Sequence, residues 1–383
     1  MAERKRVGLV FSYNDNWIAG AYYILNIIHA LNTLEDEKKP ELIILSDTLD
    51  NYNKVVTETK YPYLEFQKYP KQPNYSILDK VINKISKKVF KKKIIVKSPK
   101  YKKVDMLYPK QILGVSENIK KINWIPDFQE DYLPHFLLPQ EVKSRKDFQS
   151  TILSNSDVVV FSSEDAKQDF IRLYPEAKAE LFVLKFAVTH PDYSKENIED
   201  LRIKHSLPKD YFFAPNQFWA HKNHIVILKA IKLLKEQGML ITVAMSGKEN
   251  DYRNLENFKN LENYIQKHSL ASQIKFLGFL PREEQLCLFS NAKAIIQPSL
   301  FEGWSTVVED AKALNKFVIL SNLNVHKEQI NKNVVFFDPY KEEELVEILK
   351  KFSLLIPKIE PVEYKENVLM FGKRMNALIN NNS

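Results

Sequence analysis

Cysteine is almost missing. Cys287 is the single one in 383 residues, so no intrachain disulfide can form, which suits a reducing compartment. A lone thiol with neither a C-x-x-C spacing nor a nucleophile signature around it reads as a packed side chain. Long apolar runs are missing too. No stretch reaches the ~18–20 residues a helix needs to cross a bilayer, and the apolar run at 7–11 is too short for the core of a signal peptide. These absences point to a cytoplasmic protein. Glycine is scarce, with eight in the chain, and none falls in a G-x-G-x-x-G, so a dinucleotide fingerprint is unsupported. No Asp-x-Asp pair occurs, and His135, His221 and His326 lack metal-ligand spacing; no metal and no cofactor are expected. What is present is the balance of an ordinary globular chain, 44% apolar and 27% charged. Lys and Arg number 56 against 48 Asp and Glu, a net charge of +8, which favours an anionic partner without choosing one.

At ~100–200 residues per domain the length is a prior for two domains. β-branched runs at 7–12, 41–46, 63–66, 104–107, 122–125, 158–162 and 181–184 alternate with helical spacing, as in Ile24, Leu25, Ile27, Ile28 and Leu31. The pattern lapses after residue 185. A second series then places strands at 211–214, 240–246, 274–276, 294–297, 317–320 and 334–337, with helices at 223–237, 255–268, 342–352 and 364–379. Strands alternating with helices imply βαβ units and parallel sheets. The expected architecture is α/β: two doubly wound Rossmann-like domains facing a cleft, with ligands beyond the carboxyl ends of the strands. The expected boundaries are 1–190 for a first domain, 191–208 for a linker and 209–360 for a second domain. A C-terminal helix and tail, 361–383, then pack back toward the first domain.

Chemistry-bearing residues collect at strand-to-helix junctions. Gly20, in the segment 16–21, reads equally as an ordinary turn or as a small residue that lets a ligand approach a helix N-terminus. After the strand at 211–214 come Asn216, Gln217 and Lys222, leading straight into a helix; a lysine there can neutralise a diphosphate while the amides donate hydrogen bonds. The strand at 240–246 ends in Ser246 and Gly247. Gly278, Leu280 and Pro281 form the next junction, where proline suits a helix start. The strand at 294–297 is followed by Glu302, Gly303, Trp304, Ser305 and Thr306, with Ser305 placed to cap a helix that carries Glu309 and Asp310.

These junctions carry a resemblance. Residues 302–311, opening Glu302-Gly303-Trp304-Ser305-Thr306 and closing Asp310-Ala311, resemble the Glu-Gly-Phe-Gly…Glu-Ala segment of family-4 retaining glycosyltransferases with the GT-B fold. Lys222 matches the basic residue that grips the donor diphosphate. Asn216 and Gln217 stand where many relatives carry Arg, leaving Lys222 as the one certain cation. Ser246, Gly247 and Leu280 match turns near the sugar nucleotide, and Gly20 matches the glycine-rich loop. The segment 125–129 resembles a cleft stretch often bearing His-Asp; here Pro126 replaces the histidine, so its place is vacant or taken by Asp127, Gln129 or Glu130. Asp310 stands in the second glutamate's place, with a shorter reach toward ribose hydroxyls. The resemblance implies hexosyl transfer with retention from a UDP- or GDP-linked sugar to an acceptor hydroxyl. Lys222, Glu302 and Asp127 would be catalytic, and Gly303, Trp304, Ser305, Thr306 and Asp310 would bind the donor. Bacterial capsule, O-antigen or exopolysaccharide synthesis is the implied setting.

The stretch 80–103 is crowded with lysines, among them Lys87, Lys88, Lys91, Lys92 and Lys93. Ile77, Leu78, Val81, Ile82, Ile85 and Val89 give it an apolar helical face. One reading is a core-packed helix with a solvated basic side. The other is docking on an anionic membrane where a lipid-linked saccharide acceptor resides, peripherally on the inner face of the plasma membrane. Three further readings of the whole chain stand beside the leading one. They are a transferase with a soluble acceptor, a catalytically weakened nucleotide-sugar-binding protein, and a nucleic-acid-binding module; the last rests on charge alone, and no nucleic-acid partner is expected.

Overall fold

The computed structural model describes residues 3–13, 18–71, 73–97, 100–112, 115 and 119–381. The first half runs β1 (Arg6–Val10), α1 (Ile18–Asn32), β2 (Glu41–Ser46), α2 (Leu49–Thr59), β3 (Leu64–Lys68), α3 (Ile77–Phe90), β4 (Met106–Tyr108), β5 (Ile122–Ile125), α4 (Gln129–Tyr132), α5 (Pro139–Asn155), β6 (Val158–Phe161), α6 (Glu164–Leu173) and β7 (Glu180–Val183). Its strands are parallel, in the orders β3-β2-β1-β4 and β5-β6-β7. The Trp124 N–H donates to the Pro109 carbonyl at 3.0 Å and stitches β5 to the chain leaving β4. Parallel strands need crossover helices on the sheet faces, so the strands read as unbroken apolar runs. Leu42 to Leu45 in β2 and Val158 to Phe161 in β6 are each at most 1% exposed.

The second half runs α7 (Ile198–His205), β8 (Phe212–Ala214), α8 (His224–Glu236), β9 (Val243–Met245), α9 (Asn257–Lys267), β10 (Ile274–Phe276), α10 (Arg282–Asn291), β11 (Ile295–Gln297), α11 (Thr306–Ala313), β12 (Val318–Ser321), α12 (Asn324–Gln329), β13 (Val334–Phe337) and α13 (Glu342–Leu354). The parallel order is β10-β9-β8-β11-β12-β13. Strand order reverses between β8 and β11, and the loops after those two strands diverge there to open a crevice.

The segment expected as linker is more than a connection. It contains α7, whose Leu201, followed by Leu207, joins the core of Phe213, Leu288 and Leu320. The final helix, α14 (Lys365–Asn380), returns to the first domain as expected. Its Phe371, Met375, Leu378 and Ile379 share one core with Ile24, Ile27, Ile28 and Leu31 of α1. Gly372 makes this possible, since a Cβ there would lie 2.3 Å from the Ala30 carbonyl oxygen.

α3 is built inside out. Its N-terminus is closed by a capping box in which Ser76 and Asp79 satisfy each other's backbone N–H groups. Its two buried residues are the polar Asn83 and Ser86; Asn83 is held by the Ile95 backbone through bonds of 2.7 and 2.9 Å. Ile77, Leu78, Ile85, Val89 and Phe90 are all more than half exposed. The core-packed reading of this helix is therefore overturned: among the described residues its apolar face has no core against it.

Candidate active site

Loop chemistry at the switch point decides where the reactive groups stand. After β8 the chain makes a tight turn at Ala220–Lys222 and enters α8 through Asn223, at φ 57°. The Asn223 amide donates to the carbonyls of Pro298 and Pro339 at 3.2 and 2.8 Å, fastening the β8 loop to the β11 loop. At the other edge Ser305 caps α11, accepting the Val308 N–H at 3.4 Å. Lys222 and Glu302 are thereby brought face to face.

Lys222 Nζ lies 2.7 Å from Glu302 Oε1, with the two side chains only 16% and 9% exposed. The same carboxylate oxygen accepts from Ser299 Oγ and Gln297 Nε2, each at 2.7 Å. Gln297 Oε1 in turn accepts from Asn216 Nδ2 at 2.5 Å. Burial by itself pushes the Glu302 carboxyl up, but Lys222 and Ser299 outweigh it and hold the group below its ordinary value. Glu302 is thus an ionised carboxylate fixed by three donors. Lys222 keeps two of its three protons for other acceptors.

A cleft of about 340 Å³ lies over this pair, walled by both halves. From the first domain come Ile18, Tyr22, Trp124, Asp127, Arg145 and Phe186. The halves meet closely. Gly303 sits where a Cβ would be 2.4 Å from the Pro126 carbonyl oxygen, and Trp304 Nε1 donates to the Phe186 carbonyl at 3.0 Å. Farther along the seam, the Glu164 and Asp165 N–H groups donate to the Glu328 carboxylate at 2.8 and 3.1 Å, an anion seated on the N-terminus of α6.

Of the residues expected in the site, Asp127, Asn216, Gln217, Lys222, Ser246, Gly247, Leu280, Glu302, Gly303, Trp304, Ser305, Thr306 and Asp310 all line this cleft. Gly20 does not; it is buried within α1, and its neighbours Ile18, Ala19 and Tyr22 form the wall instead. Asn16 and Trp17, from the same expected loop, lie outside the described residues. Glu130 is withdrawn from the cleft and held by Arg145 at 3.0 Å. Asp127 remains in the cleft, paired with Arg145 Nη1 at 3.0 Å. Glu309 is a buried brace, bound by Lys312 and Gln329 at 2.9 Å each and by Tyr364. Asp310 is buried and shared between Arg282 and His190 Nε2, the latter at 2.9 Å. Burial pushes the Asp310 carboxyl up, yet Arg282 and His190 hold it below its ordinary value.

Reading the cleft as having one cation is corrected by the fold. Arg145, Arg253 and Arg282 line it beside Lys222. They sit on α5, on the loop after β9 and at the first position of α10, so no local spacing ties them to Lys222. His221, which lacks metal-ligand spacing, also lines the cleft.

Two α/β domains with parallel sheets, closing on a cleft at the strand-order reversal, are the GT-B glycosyltransferase fold. Solved structures with this shape include a glycosyltransferase from Rickettsia africae, at TM-score 0.61 and 16% identity over 100% of this chain and 94% of that one. Anabaena HepE in complex with UDP and glucose follows at 0.61 and 13%, over 99% and 95%. WaaG, a glycosyltransferase involved in lipopolysaccharide biosynthesis, aligns at 0.57 and 11%, over 98% and 95%. Residues 197–367 match the family described as glycosyl transferases group 1. Among curated relatives, the serotype-specific mannosyltransferase WbdA of Escherichia coli is 24% identical over 202 residues, 51% of this chain and 24% of that protein. The O-antigen chain mannosyltransferase RfbU of Salmonella typhimurium is 26% identical over 163 residues, 43% of this chain and 44% of its own. The matched region thus spans less than half of either relative.

Proposed function

We propose that the protein is a metal-independent, retaining hexosyltransferase. It would move a hexose from a UDP- or GDP-linked sugar to an acceptor hydroxyl during bacterial cell-surface polysaccharide synthesis. The observation that carries this reading is the buried Lys222–Glu302 pair at the switch point of a group 1 domain, facing a second domain across the cleft. The mannosyltransferase relatives support a polysaccharide product. As the glycosidic bond to the diphosphate lengthens, positive charge spreads over the sugar ring and negative charge over the leaving group. Lys222, the Asn216 and Gln217 amides and the α11 N-terminus behind Ser305 and Thr306 would stabilise that negative charge in place of a metal. Glu302, ionised and immobilised, would hold sugar hydroxyls; Asp127 would face the reacting sugar from the first domain. Asp310 would take ribose hydroxyls while Arg282 keeps its charge compensated.

The acceptor is proposed to be lipid-linked. α3 supports this: an exposed apolar face flanked by Lys87, Lys88, Lys91, Lys92 and Lys93 fits the surface of an anionic leaflet. Among the described residues no helix is long and apolar enough to cross a membrane, so docking would be peripheral. The test is a panel of UDP- and GDP-hexoses with a lipid-linked saccharide, reading the anomeric configuration of the product by NMR. Retention is expected, and an inverted product would refute the mechanism. A second reading, a nucleotide-sugar binder without turnover, draws on Asp310 being already held by Arg282 and His190. Tight donor binding with neither transfer nor hydrolysis would establish it.

A further inference from the structure

Arg253 is the most heavily constrained cation of the cleft and the least satisfied. Its side chain is only 7% exposed. The guanidinium lies over the Trp219 ring at 4.8 Å and beside the Tyr252 ring at 5.2 Å. Its Nε is 3.3 Å from Glu141 Oε2 and donates to Tyr252 Oη at 3.2 Å. These contacts fix the plane of the fork, yet Nη1 is buried with no hydrogen-bond partner among the described residues. A buried charged donor left without an acceptor is costly and is kept where something external supplies one.

The acceptor such a donor calls for is an oxygen, and a guanidinium fork suits an anionic one. Glu141 stands four residues before Arg145 on α5, so the two share a helix face. Arg253, by binding Glu141, is placed within about one helical turn of Arg145. His221 lines the same cleft, 5% exposed, its ring 5.6 Å from that of Trp219. Burial drives its imidazole well below the ordinary value, and Lys222, Arg253 and Arg145 push it further in the same direction. Three cations from two domains thus line one cleft; Arg145 is paired with Asp127 and Glu130, Lys222 with Glu302 and Arg253 with Glu141, which leaves the buried Nη1 of Arg253 as the donor still without an acceptor among the described residues.

We propose that Arg253, with Arg145 lining the same cleft, forms a phosphate-binding subsite next to Lys222. The inference deepens the transferase reading and rests on it for the source of the phosphate, either the donor diphosphate or a phosphate on the acceptor. The fork of Arg253 would give two parallel hydrogen bonds to phosphate oxygens, which a lysine cannot reproduce.

The test compares the wild type with Arg253→Gln and Arg253→Lys, following tryptophan fluorescence, since Trp219 is stacked on the guanidinium. The probes are UDP, GDP, uridine, pyrophosphate and geranyl phosphate, with thermal melting as the control for folding. Arg253→Gln is expected to weaken phosphate-bearing probes about tenfold or more and to leave uridine unchanged, with Arg253→Lys recovering part of the loss. Loss confined to UDP, GDP and pyrophosphate assigns the donor. Loss confined to geranyl phosphate in the presence of saturating UDP assigns the acceptor. If Arg253→Gln binds every probe like the wild type, the subsite is refuted. It is refuted also if Arg253→Lys matches Arg253→Gln in both weakened binding and lowered melting, which would mark a packing role. Wild-type binding of pyrophosphate without UDP or GDP would sink the donor reading of the cleft while leaving this subsite standing.

Discussion

Replacing Lys222 by Met separates what the Lys222–Glu302 pair does for the fold from what it does for transfer. The substitution keeps the stem of the side chain and removes the charge, stranding a carboxylate that is 9% exposed. Breaking a buried pair from one side typically costs ~3–5 kcal/mol. Ser299 and Gln297 still donate to Glu302, so the lower end applies: about 3 kcal/mol, or a fall of roughly 6–12 °C in the melting of a unit this size. The pH dependence has a definite sign. Glu302 is held below its ordinary value of 4.5, so its contribution is present above that value and lost as pH falls through the lower, folded-state value. Without Lys222, burial dominates and the carboxyl takes up a proton more readily. The gap between wild type and variant should therefore be widest near neutral pH and close as the solution is acidified. Adding Glu302→Gln to Lys222→Met should recover most of the stability, because no lone charge remains, while transfer stays ~10²–10³ below wild type. Melting curves from pH 4 to 8 beside donor-turnover assays measure both. A variant as stable as wild type at pH 7, or a deficit that grows on acidification, would refute the electrostatic account of this pair.

Gly303→Ala should cut kcat/KM by about tenfold or more, because the new Cβ meets the Pro126 backbone and shifts Glu302 relative to the first domain; unchanged kinetics would show that the seam is soft. Transfer is expected to survive excess EDTA, and an activity lost to chelation and restored only by Mg²⁺ or Mn²⁺ would overturn the role given to the protein cations. Changing Lys87, Lys88, Lys91, Lys92 and Lys93 to Glu should abolish sedimentation with anionic vesicles and spare nucleotide-sugar binding. Each lysine near such a surface is worth about 1 kcal/mol, so the wild-type attraction should also fade with salt; indifference to anionic vesicles at low salt would return α3 to a solvated face.

What was legible in the sequence is what chain-local physics fixes. The strands at 41–46 and 122–125 fall on β2 and β5 because buried parallel strands are written as largely apolar runs, and those at 274–276 and 334–337 fall on the partly buried edge strands β10 and β13. Ser305 as a cap and Lys222 ahead of a helix were also readable, since a cap and its helix are neighbours in sequence. Arg145, Arg253 and Arg282 were not, because each reaches the cleft from a different element and only the closure of two domains unites them. The same limit hid Arg282 and His190 behind Asp310. For α3 the periodicity was readable, but its direction stayed open between two readings. Spacing shows that a helix has an apolar side without saying whether the protein or something outside it will cover that side.

The return of α14 to α1 has a consequence for how the molecule can be taken apart. The first domain is not contiguous in the chain: its sheet is written before residue 190, but one wall of its core is written after residue 364. A fragment cut at the interdomain crossing would expose Ile24, Ile27, Ile28 and Leu31, whereas the second domain would lose little by shedding its last helix. Exchanging second domains between chains of this fold therefore requires two junctions, one on each crossing. The partner that supplies the first half must also supply the final helix, with a glycine kept where it rides on Ala30.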